Sequence, residues 1–141
     1  MKSVGYKEVS NNPIENGEMR SGMMPSMITS LQHDKKVFEI GEIFRACKGE
    51  NTPSKKLALG VGTTESYSSL KKVIKDMLSQ LGLSVEYKIS TDGKYPYLEP
   101  EFNTIVMVGD KVIGPLGVVR GKNIVVCSLI IDFIEALKKP Q

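Results

Sequence analysis

The sequence has no tryptophan, one histidine and two cysteines, and only 6% of its 141 residues are aromatic. Each scarcity removes a class of chemistry. A single histidine, His33, leaves no multi-histidine metal site and no Ser/His/Asp arrangement in which other histidines could share the work. It stands in a polar break, His33-Asp34-Lys35-Lys36, and reads as a solvated side chain. Cys47 and Cys127 lie far apart, in no C-x-x-C pair and no Cys/His zinc pattern, so two reduced thiols are expected. No apolar run approaches the ~20 residues of a membrane span. The first ten residues, MKSVGYKEVS, have two lysines but no apolar core, so no signal peptide is expected and the expected compartment is the cytoplasm. No Walker A pattern and no G-x-G-x-x-G occur. Net charge is only +3, far from the strongly basic patterning that alone argues for nucleic acid.

What is there suits one α+β domain. A hydrophobic content of 40% and a charged content of 25% are ordinary for a globular chain long enough to bury a core. Val4, Tyr6 and Val9 could form an edge strand or stay disordered. Asn11-Asn12-Pro13 reads as a turn, and Glu15 to Gly22 as a loop. A first helix is expected to start near Ser21 to Pro25, with Ser21 as a candidate N-cap and Met24, Met27, Ile28 and Leu31 on one face. Met19, Met23, Met24 and Met27 cluster there. Methionine fills irregular cores and is over-used on adaptable binding surfaces, so a core helix and a partner-facing helix are both open.

Val37 to Arg45 alternates as a strand. Val37, Glu39, Gly41, Ile43 and Arg45 share one side, and Phe38, Ile40, Glu42 and Phe44 the other. A carboxylate and a guanidinium on one side could line a cleft or pair internally. Glu39 and Glu42, on opposite sides, cannot act as a catalytic pair. Lys56 to Val61 reads as a central strand paired antiparallel with the preceding one. Residues 68–81 give the clearest helix, with Leu70, Val73, Ile74, Met77, Leu78 and Leu81 in helical register, N-cap serines at 66, 68 and 69, and Gly82 just past the end. Its outer lysines, Lys71, Lys72 and Lys75, are a solvated face or, alternatively, phosphate contacts to an RNA backbone. Val85 to Ser90 is a strand, and Tyr95 to Pro100 is extended.

Residues 104–119 form a hairpin about Gly109-Asp110, with glycine at the first loop position. Ile124 to Ile131 is a last apolar strand, and Asp132 with Glu135 has the spacing of a capping box for a closing helix. Gly60-x-Gly62 is a weak phosphate-loop hint or a simple glycine turn. Gly114-x-x-Gly117-x-x-Arg120 could expose backbone near a ligand or mark bends. The order helix, two strands, helix, strand, hairpin, strand, helix predicts a mostly antiparallel sheet with helices on one face.

The stretch from 11 to 45 resembles the core of the phenylalanyl-tRNA synthetase beta subunit. Asn12-Pro13-Ile14 is similar to that family's first element, Met19 through Ile28 to its L-R-T-S-L-L-P-G-L-L run with methionine in place of leucine, and Val37 through Phe44 to its L-F-E-I-G-x-V-F. Weaker likeness continues through Gly5–Val9, Ser69–Gly82, Tyr97–Pro100, Lys111–Val119 and Val126–Leu137. The resemblance implies a class II aminoacyl-tRNA synthetase-like fold, with residues 1–10 as an N-terminal extension and 11–141 as the core-like domain. It implies a non-catalytic structural or interaction module associated with tRNA aminoacylation, the chemistry residing in an alpha subunit. The alternative is a stand-alone paralogue that senses an amino acid or nucleotide.

Arg45 stands where the resemblance places an ATP-binding arginine, but Ala46-Cys47-Lys48 supplies no following acid and nothing matches the third class II motif. Pro100-Glu101-Phe102 replaces the family's P-G-R, and Arg120-Gly121 its His-Pro. No catalytic residue, cofactor or metal is therefore expected. Glu39 and Arg45 are the candidate ligand contacts. Arg20, Met23, Met24 and Met27 are the candidate partner surface, toward an alpha subunit or a second copy; tRNA contact stays open.

Overall fold

The computed structural model describes residues 5–15, 18–45 and 54–138. Along the chain run β1 (Lys7–Glu8), β2 (Ile14–Glu15), β3 (Glu18–Met19), α1 (Met24–Ser30), β4 (Lys36–Arg45), β5 (Ser54–Thr63), α2 (Tyr67–Gln80), β6 (Val85–Ile89), a 3₁₀ turn (Pro100–Phe102), β7 (Thr104–Val108), β8 (Lys111–Val118), β9 (Val125–Ile130) and α3 (Ile131–Lys138). Seven strands form one sheet in the order β1-β4-β5-β9-β8-β7-β6, and β2 and β3 form a separate ribbon.

The sheet is mixed, which corrects the expectation of a mostly antiparallel one. β1 lies parallel to β4, with Lys7 opposite Val37, while the other ladders are antiparallel. The parallel edge arises because the chain crosses from β1 through the β2–β3 ribbon and α1 before β4 begins. Tyr6, just before β1, is buried in the main core.

Both faces of the sheet are covered, so the helices do not share one face as expected. Phe38, Leu59, Val61, Cys127 and Leu129 point to one side, where Leu70, Ile74 and Leu78 of α2 and Ile134 of α3 close over them. Those α2 positions are the i, i+4, i+8 stripe seen in the sequence. Ser66 caps α2, its Oγ accepting the Ser69 N–H at 3.0 Å, and Gly82 at φ +81° ends it. The opposite face belongs to α1. Met24, Met27 and Leu31 pack with Val37 and Val126, and Met23 with Ile43, Ala58 and Ile130.

Close approach of α1 explains the Gly60-x-Gly62 pair. Both lie inside β5, not in a phosphate loop. A Cβ on Gly60 would stand 2.7 Å from Met23 Cβ, and one on Gly62 2.8 Å from Leu31 Cδ1. Nor is Ser21 the cap of α1. Met23 occupies that position without a side-chain bond, and its N–H is taken by Ser128 Oγ of β9 at 3.0 Å. Asp132 lies inside the first turn of α3, where its Oδ1 accepts the Leu57 N–H at 2.9 Å. That bond continues the β5–β9 ladder one step past its last pair, Ala58 with Ile130.

Candidate ligand cleft on the sheet face

Three segments that were separate motifs in the sequence meet at Glu39. Its side chain is buried. Oε2 accepts Arg20 Nη2 at 3.1 Å and the Asn11 N–H at 3.0 Å, and Oε1 accepts Asn11 Nδ2 at 2.9 Å. Arg20 is equally buried and spreads its guanidinium over three acceptors, giving Nε to the Glu42 carbonyl and Nη1 to Ser26 Oγ. Asn11 reaches on to Ser30 Oγ at 3.2 Å. The network ties the N-terminal segment, α1 and β4 into one block. Gly41 makes room for it, since a Cβ there would lie 2.4 Å from Arg20 Nη2.

Beside this block the same sheet face opens into a cleft of about 1070 Å³. One wall is the start of α1 and the chain before it, from Met19 to Pro25. The floor comes from Ile43, Ser128, Ile130 and residues 112–115 of β8. The far wall is the 90–97 loop with Asp92, Lys94, Tyr95 and Tyr97, and Phe133 of α3 stands at the rim. Gly114 belongs to the floor because only glycine lets β8 pass Ser128: a Cβ would lie 1.7 Å from the Ser128 carbonyl oxygen. Gly117 instead takes the side chain of Leu98 against its backbone.

Cations gather around the opening. Lys111 Nζ sits 3.8 Å from the Phe133 ring centroid, the Arg45 guanidinium carbon is 5.7 Å from the same ring, and Lys94 Nζ lies 5.6 Å from that of Tyr95. Asp92 and Asp110 supply negative charge. The backbone N–H of Lys94, and then the Ser90 hydroxyl, hold the Asp92 carboxyl below the usual range. Burial pushes the Tyr97 hydroxyl up to about 12. Such a cleft, part apolar and ringed by cations and tyrosines, can hold a small anionic or zwitterionic molecule. Among the described residues no group of three or more His, Cys, Asp or Glu side chains could hold a metal ion.

The sequence candidates divide. Arg45 lines the cleft. Glu39 shares its side of β4 but is turned into the ion pair, which engages both carboxylate oxygens. Arg20, Met23, Met24 and Met27 are buried inside this chain. As a partner surface they are corrected: Met23 and Met27 fill the seam between α1 and the glycines of β5, Met24 packs with Val37 and Val126, and Arg20 is engaged by Glu39, Glu42 and Ser26. Lys111, Phe133, Lys94 and Tyr95 were missed, because exposed lysines and isolated aromatics carry no local pattern. Cys47 and Lys48, beside Arg45 in sequence, lie outside the described residues.

The fold compares with a synthetase. A structure of a pyrrolysyl tRNA synthetase from Desulfitobacterium hafniense aligns with a TM-score of 0.64 at 15% identity, covering 97% of this chain and 62% of that one. At that identity the likeness is one of fold, and the chain spans less than two thirds of the synthetase's length. No curated protein matches the sequence. The family model described as the phenylalanyl tRNA synthetase beta chain CLM domain matches residues 10–124, most of the chain. The Asn-Pro turn, the Arg20 segment and the F-E-I-G strand all fall inside that match, and the chain belongs to the phenylalanyl-tRNA synthetase beta chain CLM domain family.

Proposed function

We propose that this domain is a non-catalytic module of the tRNA aminoacylation apparatus, holding structure and partners together rather than forming adenylate. The observation that carries the reading is the Arg20–Glu39 pair. Two charged residues of the family-like segments, Arg20 and Glu39, neutralise each other in the interior rather than standing free for a substrate. A buried pair of this kind, with its remaining bonds satisfied, serves architecture. The partner is a synthetase alpha subunit, and the compartment is the cytoplasm. With α1 buried, the contact falls to apolar side chains left exposed elsewhere, Ile14 and Met19 on the β2–β3 ribbon and Ile40 and Leu57 on the β4–β5 arm. Residues 11–141 form the working unit, and the preceding segment helps to seal its edge through β1. Pyrophosphate exchange with the purified domain is expected to be absent for every amino acid, and an alpha subunit is expected to retain it on co-purification. Exchange above background would sink the reading.

A second reading is favoured by the cleft itself. A volume of about 1070 Å³ beside Arg45 and Lys111 suits an amino acid or a nucleotide held as a signal. In that reading Arg45 is the ligand contact and Glu39 supports the wall from behind. Thermal shift against phenylalanine and ATP separates the two readings, since a purely structural module gains no stability from either.

A further inference from the structure

The sheet ends on β6, whose only strand neighbour among the described residues is β7. Along β6, Val85 stands opposite Val108 and Ile89 opposite Thr104. The next pair in that register, Ser90 with Asn103, is hydrogen-bonded, the Ser90 N–H reaching the Asn103 carbonyl at 2.7 Å. In an antiparallel ladder the bonded pairs alternate. Residues 86, 88 and 90 therefore turn their backbone groups toward β7, and Val85, Tyr87 and Ile89 turn theirs to the open edge. Such an edge is a template for another strand unless something blocks it.

We infer that β6 pairs with β6 of a second copy across a two-fold axis at Tyr87, joining two sheets into one. The pattern of the strand is self-complementary about that residue. Antiparallel pairing centred on Tyr87 sets Tyr87 against its own copy and Val85 against Ile89, both as hydrogen-bonded pairs formed by the outward backbone groups. It sets Glu86 against Lys88 twice, in the non-bonded positions where side chains lie closest. Glu86 and Lys88 are both exposed, and Ile89 leaves 53% of its surface uncovered. A one-residue slip sets outward backbone groups against inward ones, and a two-residue slip sets Glu86 against Glu86 or Lys88 against Lys88, so backbone and charges together fix the register.

The two α2 helices then flank the axis on one side of the joined sheet. Lys71, on the part of α2 above β6, is turned in over the rings of Tyr67 and Tyr87 at 4.8 and 5.3 Å from their centroids. Exposed Lys72 and Lys75 carry like charge in both copies, and a single strand edge is small beside a standard interface, so the dimer is weak and concentration-dependent. This inference rests on the sheet alone and stands apart from the functional reading.

Sedimentation velocity of the full chain over a concentration series tests it. The wild type is expected to shift from monomer to dimer. E86K and K88E each place like charges opposite one another twice, and each is expected to weaken the dimer by roughly tenfold or more. The double reversal E86K/K88E restores the pairing, and an equimolar mixture of the two single variants associates while neither does alone. Urea unfolding of the singles should match the wild type, since both side chains are exposed. A wild type that stays monomeric throughout, or a dimer indifferent to E86K, overturns the assignment.

Discussion

Arg20 Nη2 lies 3.1 Å from Glu39 Oε2, with both side chains almost wholly removed from solvent. The pair joins the two segments that most resemble the family, with Arg20 in the wall of the cleft and Glu39 behind it. Two charges leave water only where geometry and additional hydrogen bonds offset the desolvation. Here Glu42, Ser26 and Asn11 provide those bonds. The placement gives the cleft a rigid wall and leaves its chemistry to groups at the rim.

Removing one partner should be far worse than removing both. Arg20→Met strands a buried carboxylate and is expected to destabilise the fold by about 3–5 kcal/mol. The double variant R20M/E39M replaces the pair with apolar groups and should recover a large part of that loss. Urea unfolding of the wild type, both singles and the double forms the cycle. Additive losses in the double variant would show that the pair is not coupled.

The glycines of β5 give a graded test of how α1 is seated. An added methyl at Gly60 meets Met23 Cβ, an atom fixed to the helix backbone, whereas one at Gly62 meets the far end of the Leu31 side chain. Gly60→Ala is expected to cost about 1–3 kcal/mol through overpacking and Gly62→Ala less, because Leu31 can rotate away. Thermal melts of the two variants compare them directly. Equal losses would mean that α1 moves as a body instead.

Much of this fold was legible in the sequence where the signal was local. The 3.6-residue stripe of α2, the glycine at the β7–β8 turn and the pairing of β4 with β5 all appear as expected. The side of β4 that carries Glu39, Gly41 and Ile43 was also readable, since strand faces alternate. What the chain did with those side chains was not. Methionine looks alike in a core and on a surface, so the burial of α1 became visible only with the glycines of β5 beneath it. The glycine pair was ambiguous for the same reason, because its purpose sits on another element. Asp132 followed a capping pattern, yet it lies inside the first turn and its oxygen accepts the Leu57 N–H of β5. The cleft draws on segments from Met19 to Phe133, and no window of sequence contains it.

Alkaline pH should weaken the fold in a defined order. Burial raises the thiol of Cys127 far above its ordinary value, and burial likewise raises the hydroxyls of Tyr6, Tyr87 and Tyr97. Each group keeps its proton longer when folded than when unfolded. Its contribution is therefore complete below the unfolded pKa and declines as pH rises toward the folded one. Stability is expected to fall first above pH ~9, from Cys127, at about 1.4 kcal/mol per pH unit, and more steeply above ~10 as the tyrosines join. Chemical denaturation at stepped pH measures the slope, and Cys127→Ala should remove the part that begins near pH 9. A flat profile to pH 10 in the wild type would contradict the burial of the thiol.

The cleft makes the last prediction, and it separates rim from wall. A ligand that uses Arg45 and Lys111 should stabilise the domain by about 1.4 kcal/mol at ten times its dissociation constant, a melting shift of roughly 5 °C for a chain of this size. Lys111→Ala should abolish the shift while leaving the melting temperature of the free protein near that of the wild type, because the side chain is exposed and lies over the face of the Phe133 ring. Phe133→Ala is the complementary variant. It loses the platform on which both cations rest and some packing against Ile130 and its neighbours, so ligand response and stability should fall together. If phenylalanine or ATP still shifts the melt of Lys111→Ala by the wild-type amount, the ligand lies deeper, toward Tyr97 and Gly114, and the cations at the rim have no part in holding it.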